Sequence, residues 1–111
     1  MTLFDDREKA YEAKFRQDQE TAFKIMVRRD KLLGLWAAER LGLVDDEATA
    51  YAKSLIAAEL GAGAHDIGHS VLADLEARGV AIEAAEVTRQ LLHLHEIARE
   101  QILAEITGRP L

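Results

Sequence analysis

Two histidines four residues apart, His65 and His69, are the first candidates for chemistry in this sequence of 111 residues. On a helix this spacing places both imidazoles on one face, as in many zinc sites. The stretch HDIGH differs from the zinc motif H-E-x-x-H because Asp66 stands in place of glutamate, and no third ligand accompanies the pair. His93 and His95 are two residues apart and therefore point to different faces. We interpret His65 and His69 as surface histidines and predict no metal site, although a zinc-dependent enzyme remains an alternative that zinc titration would test.

Carboxylates and glycines offer no other enzymatic chemistry. Asp5/Asp6 and Asp45–Glu47 stand where helices are predicted to begin, and helix starts favour acidic side chains. The stretch GAG at 61–63 lacks the lysine, the hydroxyl and the preceding strand of a phosphate-binding loop, so it predicts a turn. The sequence therefore predicts a protein that is not an enzyme and that uses no cofactor.

The opening stretch LFDDREKAYEAKF, residues 3–15, combines dense charge with regularly spaced aromatic residues. Phe4, Tyr11 and Phe15 are separated by seven and four residues, which places them on one face of a helix. The stretch is too polar to form a core. This pattern is typical of a helix that folds against a partner.

The amino-acid composition limits which partners the protein can bind and in which compartment it is expected. Fourteen basic and twenty acidic residues give a net charge of −6, which argues against nucleic acid. The sequence contains no cysteine, no signal-peptide pattern at its start and no apolar run long enough to cross a membrane. We expect a cytoplasmic protein without direct membrane insertion.

Helical periodicity predicts the elements that position these residues. Strong helix formers fill the sequence, and the single proline stands at position 110. The pattern predicts an all-α protein, a small four-helix bundle. The first helix is expected from Asp5 or Asp6 to Leu41, and the second from a cap at Asp45 or Asp46 to residues 61–63. The third is expected from near Asp66 to Gly79, and the fourth from about Glu83 to Gly108.

The densest apolar stretch predicts the core of this bundle. Residues 23–41 and the three later helices supply it, and Gly34 permits a close helix approach. The basic cluster of Arg28, Arg29 and Lys31 is interpreted as a solvated face, with a contact to a partner as the alternative. The first twenty residues have no place in this core. We predict that the N-terminal part projects or is disordered when free, with a segment at 1–19 and a bundle domain at 20–111.

Four stretches together resemble the zeta subunit of the α-proteobacterial rotary ATP synthase. They are FDDREKAYEAKF (4–15), RRDKLLGLWAAERLGL (28–43), AYAK (50–53) and GVAI (79–82). The first two are highly specific together, and the resemblance spans essentially the whole chain. Asp30 departs from the family motif, which tends to have asparagine at this position.

The resemblance implies a four-helix inhibitor of ATP hydrolysis by the enzyme's catalytic head. Its N-terminal segment is similar to the inhibitory region of the mitochondrial ATPase inhibitor protein. That similarity implies a helix that enters an intersubunit cleft of the head, formed by the alpha, beta and gamma subunits, and blocks rotation in the hydrolytic direction. The contacts it implies are Phe4, Arg7, Glu8, Tyr11, Lys14 and Phe15.

A second hypothesis makes the protein a structural bundle that self-associates through its N-terminal helix. The sparse stripe at Phe4, Tyr11 and Phe15 disfavours this hypothesis, because a coiled coil needs sustained heptads. We expect the free protein to be a monomer that becomes peripheral to the inner membrane when it is bound to the ATP synthase.

Overall fold

The computed structural model describes residues 3–61 and 66–108. Within these ranges the chain forms four α-helices and no strand. They are α1 (Leu3–Arg40), α2 (Asp45–Leu60), α3 (Ile67–Ala77) and α4 (Ala84–Thr107). The all-α prediction is confirmed, and the helices lie close to their predicted limits.

Most of the predicted helix ends are confirmed. Gly42 follows α1 with φ +78°, a left-handed value that favours glycine, and its N–H donates to the carbonyl oxygen of Glu39 at 3.2 Å. Asp66 caps α3 because its Oδ1 accepts from the N–H groups of Gly68 and His69 at 3.0 and 3.3 Å. Gly108 ends α4 in a left-handed conformation.

The predicted cap of α2 is wrong. Val44 occupies the N-cap position and makes no side-chain cap hydrogen bond, while Asp45 is the first residue of the helix. Asp45 has φ +51°, which aspartate tolerates better than most residues. The three acidic residues Asp45–Glu47 therefore stabilise α2 through the helix dipole rather than by capping.

Buried side chains from all four helices form the core. The second half of α1 packs mainly against α2 and α4, and α3 closes the bundle. The main cluster consists of Leu33, Ala37, Leu41, Leu55, Ile67, Val71, Leu75 and Val87. A smaller cluster of Ile25, Ala98 and Ile102 joins α1 to α4. Phe23 is 52% exposed, so the core begins at Ile25 rather than at residue 23 as predicted.

Gly34 marks the closest approach of α1 and α2. A Cβ atom added at Gly34 would lie 2.7 Å from Ala52 Cα and 2.8 Å from Ala52 Cβ. These separations are shorter than van der Waals contact allows. The prediction that this glycine permits close helix packing is therefore confirmed.

The basic cluster of α1 is less solvated than predicted. Arg28 donates to Gln101 Oε1 and to Glu105 Oε1 on α4, both at 2.8 Å. Arg29 lies 2.8 Å from Asp30 and 3.5 Å from Glu59 of α2, and only Lys31 is exposed. The interpretation as a solvated face is wrong for both arginines, because their long side chains reach acidic groups on neighbouring helices.

The first half of α1 lies outside the bundle. All residues from 3 to 20 are exposed, and Thr21 is the first that is partly covered. The Cα radius of gyration is 17.7 Å, against about 13 Å for a compact chain of this length. The N-terminal part therefore projects as a regular helix, which is one of the two predicted arrangements. Its predicted disorder in the free protein stays a prediction.

Candidate functional site

The projecting part of α1, residues 3–20, is helical without help from the bundle. Its residues are mostly strong helix formers, and Asp5 and Asp6 lie in the first turn, where acidic groups favour the helix dipole. Lys14 and Asp18 form an ion pair at 3.1 Å between side chains that are 75% and 66% exposed. Such pairs stabilise a helix by only about 0.2–0.5 kcal/mol. Local interactions therefore favour this helix weakly.

Three aromatic side chains on this segment are open to solvent. Phe4 is 79% exposed, Tyr11 73% and Phe15 56%. From Phe4 to Phe15 the helix rises by roughly 16 Å, at about 1.5 Å per residue. These residues, which we call the aromatic stripe, form an apolar strip along a charged helix. A strip of this kind indicates a contact surface rather than a core.

The charged site residues predicted from the resemblance flank the aromatic stripe. At about 100° per residue, Arg7, Glu8 and Lys14 fall with the three aromatic residues in a sector of roughly 120° of the helix circumference. All six side chains are exposed. The structure therefore brings the predicted site residues together on one open face, with polar groups on both sides of an apolar centre.

The histidines do not form a site in the described part of the chain. His65 lies outside the described residues, so the predicted spacing with His69 has no structural counterpart here. Asp66 serves as the N-cap of α3, and His69 is exposed. Among residues 3–61 and 66–108, no cluster of three or more His, Asp or Glu side chains is arranged to hold a metal ion.

Sequence analysis missed a buried charged cluster between α1 and α2. Asp30 is 1% exposed and pairs with Arg29, which also approaches Glu59. Burial raises the pKa of Asp30, and the hydrogen bond and charge of Arg29 oppose that rise. A signal was present, because Asp30 stands three and four residues before Leu33 and Gly34, on the core face of the helix.

A hydrogen bond from Tyr51 connects helices α2 and α3. Tyr51 Oη donates to Asp74 Oδ2 at 2.8 Å and so links α2 to α3. Burial, the hydrogen bond and the negative charge of Asp74 together raise the pKa of Tyr51 well above its ordinary value. The pair has a structural role and lies in the bundle, not on the projecting helix.

None of the helices in the described ranges is long and apolar enough to cross a membrane.

Comparison with known protein families identifies the chain. The family model described as ATPase inhibitor subunit zeta matches residues 1–101, which include both the projecting helix and nearly all of the bundle. A comparison with curated individual proteins gave no match. Since the family match covers most of the sequence, it confirms the resemblance found in the motifs. The chain belongs to the family of ATPase inhibitor zeta subunits.

Proposed function

We propose that this protein inhibits ATP hydrolysis by the rotary ATP synthase through insertion of its N-terminal helix into an intersubunit cleft of the catalytic head. In this proposal residues 1–19 are the inhibitory segment and residues 20–111 are a separate bundle domain. The partners are the alpha, beta and gamma subunits. The protein is cytoplasmic and becomes peripheral to the inner membrane when bound.

The observation that supports insertion best is the exposed aromatic stripe. Phe4, Tyr11 and Phe15 make no core contact, so their burial has to come from a partner. Burying three aromatic side chains contributes roughly 5–9 kcal/mol at about 1.5–3 kcal/mol each. The family to which the chain belongs supplies the class of partner.

A cleft suits this helix better than a flat surface. A flat docking surface would cover the aromatic stripe and leave the flanking charges of Arg7, Glu8 and Lys14 in water. Walls on both sides of the helix would add charge-assisted hydrogen bonds, each worth about 1.5–3 kcal/mol. Any ordering of the segment on binding costs about 1–2 kcal/mol per residue, so contacts on several sides are required.

ATPase activity of the cognate catalytic head, measured with and without the purified protein, tests the inhibitory role. The proposal expects hydrolysis to fall as the protein is added and to saturate at one copy per head. Unchanged hydrolysis at a large excess of the protein would contradict it.

The direction of inhibition tests the insertion mechanism. If rotation in the synthetic direction expels the inhibitory helix, the protein should lower the rate of ATP hydrolysis and leave the rate of ATP synthesis nearly unchanged. Membrane vesicles driven by a proton gradient allow both rates to be measured on one preparation. Equal loss of the two activities would indicate a simple block and would rule out expulsion of the helix by rotation in the synthetic direction.

Self-association through the aromatic stripe is the competing function. It predicts a dimer of the free protein at micromolar concentration, whereas the inhibitor hypothesis predicts a monomer. Sedimentation equilibrium of the full chain distinguishes the two. Replacement of Tyr11 by alanine would shift the sedimentation result only if the stripe formed the dimer contact.

A further inference from the structure

Two carboxylates approach one guanidinium group inside the interface between α1 and α2. The side chain of Asp30 is 1% exposed, and that of Glu59 is 15% exposed. They belong to different helices and approach the same guanidinium group, that of Arg29. The cluster lies in the folded bundle, on the helix face that continues to Gly34 and Ala52.

Arg29 satisfies only part of this cluster. Its Nε and its Nη2 both lie 2.8 Å from Asp30 Oδ1, and Nη2 lies 3.5 Å from Glu59 Oε1. The guanidinium is thus directed at one oxygen of each carboxylate. One positive charge stands against two negative charges, so the cluster has a net charge of −1 when both acids are ionised.

The remaining carboxylate oxygens have no hydrogen-bond donor within residues 3–61 and 66–108. Asp30 Oδ2 and Glu59 Oε2 are both buried, and neither has a partner among the described residues. Buried polar atoms are normally paired, because an unpaired one loses its hydration without replacement. In the described part of the chain, these two oxygen atoms are therefore acceptors without a donor. One added hydrogen-bond donor between them would pair both.

The surrounding helices supply no second cation in contact with the cluster. Arg28 is engaged with Gln101 and Glu105 on α4. Lys53 of α2 and the charged residues of α3 are exposed. The partly buried titratable residues of α4 are Glu86 and His95, and neither forms an ion pair or a hydrogen bond with Asp30 or Glu59 in the described part of the chain.

We propose that Asp30 and Glu59 form a proton-binding site that fastens α1 to α2. A proton from solvent forms an O–H bond on one carboxyl oxygen, and this hydroxyl then donates a hydrogen bond to the other carboxylate. The net charge of the cluster then falls from −1 to zero. One of the two unpaired oxygen atoms becomes a hydrogen-bond donor, and the other accepts its hydrogen bond. The site is a property of the free bundle and does not depend on the proposed inhibition of the ATP synthase.

The direction of the pH response follows from burial. Burial raises the pKa of Asp30 in the folded protein above its unfolded value. The folded state therefore binds the proton more tightly than the unfolded state does. The resulting contribution to stability is present at acid pH and is lost as pH rises through the raised pKa. Acidification should accordingly hold α1 more firmly to α2 and so anchor the projecting helix.

Carboxyl-carbon NMR titration of the full chain tests the site directly. We expect the Asp30 carboxyl to titrate above its ordinary pKa of 3.8. Glu59→Gln removes the neighbouring charge and should lower the Asp30 midpoint by roughly one pH unit or more. Glu105→Gln, which removes the other ion pair that α1 makes to a neighbouring helix, serves as the matched control and should leave the midpoint unchanged. An Asp30 midpoint at or below 3.8, or one that Glu59→Gln does not lower, would overturn the proposal.

Thermal unfolding of Asp30→Asn gives an independent test. The asparagine amide can accept from Arg29 and donate to Glu59, as the protonated acid would, but at every pH. We expect the melting temperature at pH 8 to exceed that of the wild type by about 3–8 °C. The difference should shrink as the pH is lowered through the raised pKa of Asp30, because the wild type then binds its proton. A lower melting temperature of Asp30→Asn at pH 8, or a failure to fold, would count against the site.

Discussion

Phe4, Tyr11 and Phe15 each expose more than half of their side-chain surface, whereas Trp36 of the same helix is partly covered. The guanidinium of Arg40 lies 4.1 Å from the centre of the Trp36 ring and shields it further. At the scale of single residues, the molecule thus divides its aromatic side chains between a packed group and an open one. The open group is the one available to a partner.

Alanine substitution of Phe4, Tyr11 or Phe15 tests the aromatic stripe. Each change should weaken inhibition by about 1.5–3 kcal/mol, roughly 10- to 150-fold in affinity, because each removes an aromatic anchor. Titration of ATPase inhibition gives the affinities. The melting temperature should stay unchanged, since all three side chains are exposed in the free protein.

Gln17→Ala is the matched control for these substitutions. Gln17 is exposed on the same projecting helix and lies about 140° around the helix from the stripe. It should change affinity by less than about 0.5 kcal/mol. A loss as large as that of the aromatic variants would show that the contact does not follow the stripe.

Tyr51→Phe tests the link between α2 and α3. Loss of the hydrogen bond to Asp74 should lower the free energy of unfolding by about 0.5–1.5 kcal/mol at pH 7. The folded pKa of Tyr51 lies above its unfolded value near 10, so the stabilisation is present below pH 10 and is lost as pH rises through the folded pKa. Tyr11→Phe is the control for urea unfolding, and an equal effect of both substitutions would contradict the assigned role of Tyr51.

At the scale of secondary-structure elements, α1 combines two functions in a single helix. Its second half carries Leu33, Ala37 and Ala38, which are fully buried, while its first half has no buried residue. Tertiary packing supplies most of the stability of helices in proteins. The two halves of α1 should therefore differ greatly in local stability, even though they form one continuous helix.

Amide hydrogen exchange measures this difference. Residues 3–18 should exchange rapidly, because only local hydrogen bonds hold their helix. Residues around Leu33–Leu41 and around Ala98–Ile102 should exchange slowly, since they lie in the two core clusters. Strong protection across residues 4–15 in the monomer would contradict the expectation that this segment is weakly ordered when free.

Gly34→Ala tests the close contact of α1 and α2. Alanine favours the helix by about 1 kcal/mol over glycine, but its Cβ would meet Ala52 Cα at 2.7 Å. Displacing a backbone costs more than displacing a flexible side chain, so we expect a net loss of about 1–2 kcal/mol in the free energy of unfolding. Gly61→Ala, at the end of α2 with φ −75°, should change stability by less than about 0.5 kcal/mol. Increased stability of Gly34→Ala would show that α2 can move away freely.

At the scale of the whole molecule, the projecting helix makes the protein elongated, with principal extents of 64 × 35 × 26 Å. Charge is also unevenly distributed. Residues 1–40 hold nine basic and eight acidic groups, whereas residues 41–111 hold five and twelve. These ranges do not follow the boundary of the projecting part, whose residues 3–20 hold four basic and six acidic groups. The projecting helix and the bundle are therefore both acidic, which opposes non-specific binding to nucleic acid.

Deletion of residues 1–18 tests whether the two parts are separable. The bundle should remain folded with little change in melting temperature, because residues 3–18 have no buried side chain. Inhibition should be lost. A peptide of residues 1–18 should inhibit only weakly, since it lacks any anchoring that the bundle contributes. Unfolding of the truncated protein would contradict the proposed boundary between segment and domain.

The local features of this protein follow directly from its sequence. Helix formers, glycine stops and apolar periodicity predicted four helices, because these signals act over a few residues. The spacing of Phe4, Tyr11 and Phe15 and the polarity around them also predicted an exposed contact face at the N-terminal end. The motifs that resemble the zeta family were sufficient to identify the chain, as the match over residues 1–101 confirms.

The burial of polar side chains depends instead on how the helices pack against one another. Arg28 and Arg29 resembled a solvated cluster in the sequence, yet they reach acids on α4 and α2. Asp30 and Glu59 are far apart in sequence, yet they approach the same guanidinium group where α1 and α2 pack closely at Gly34. Such pairing depends on helix register and separation, which local periodicity does not encode.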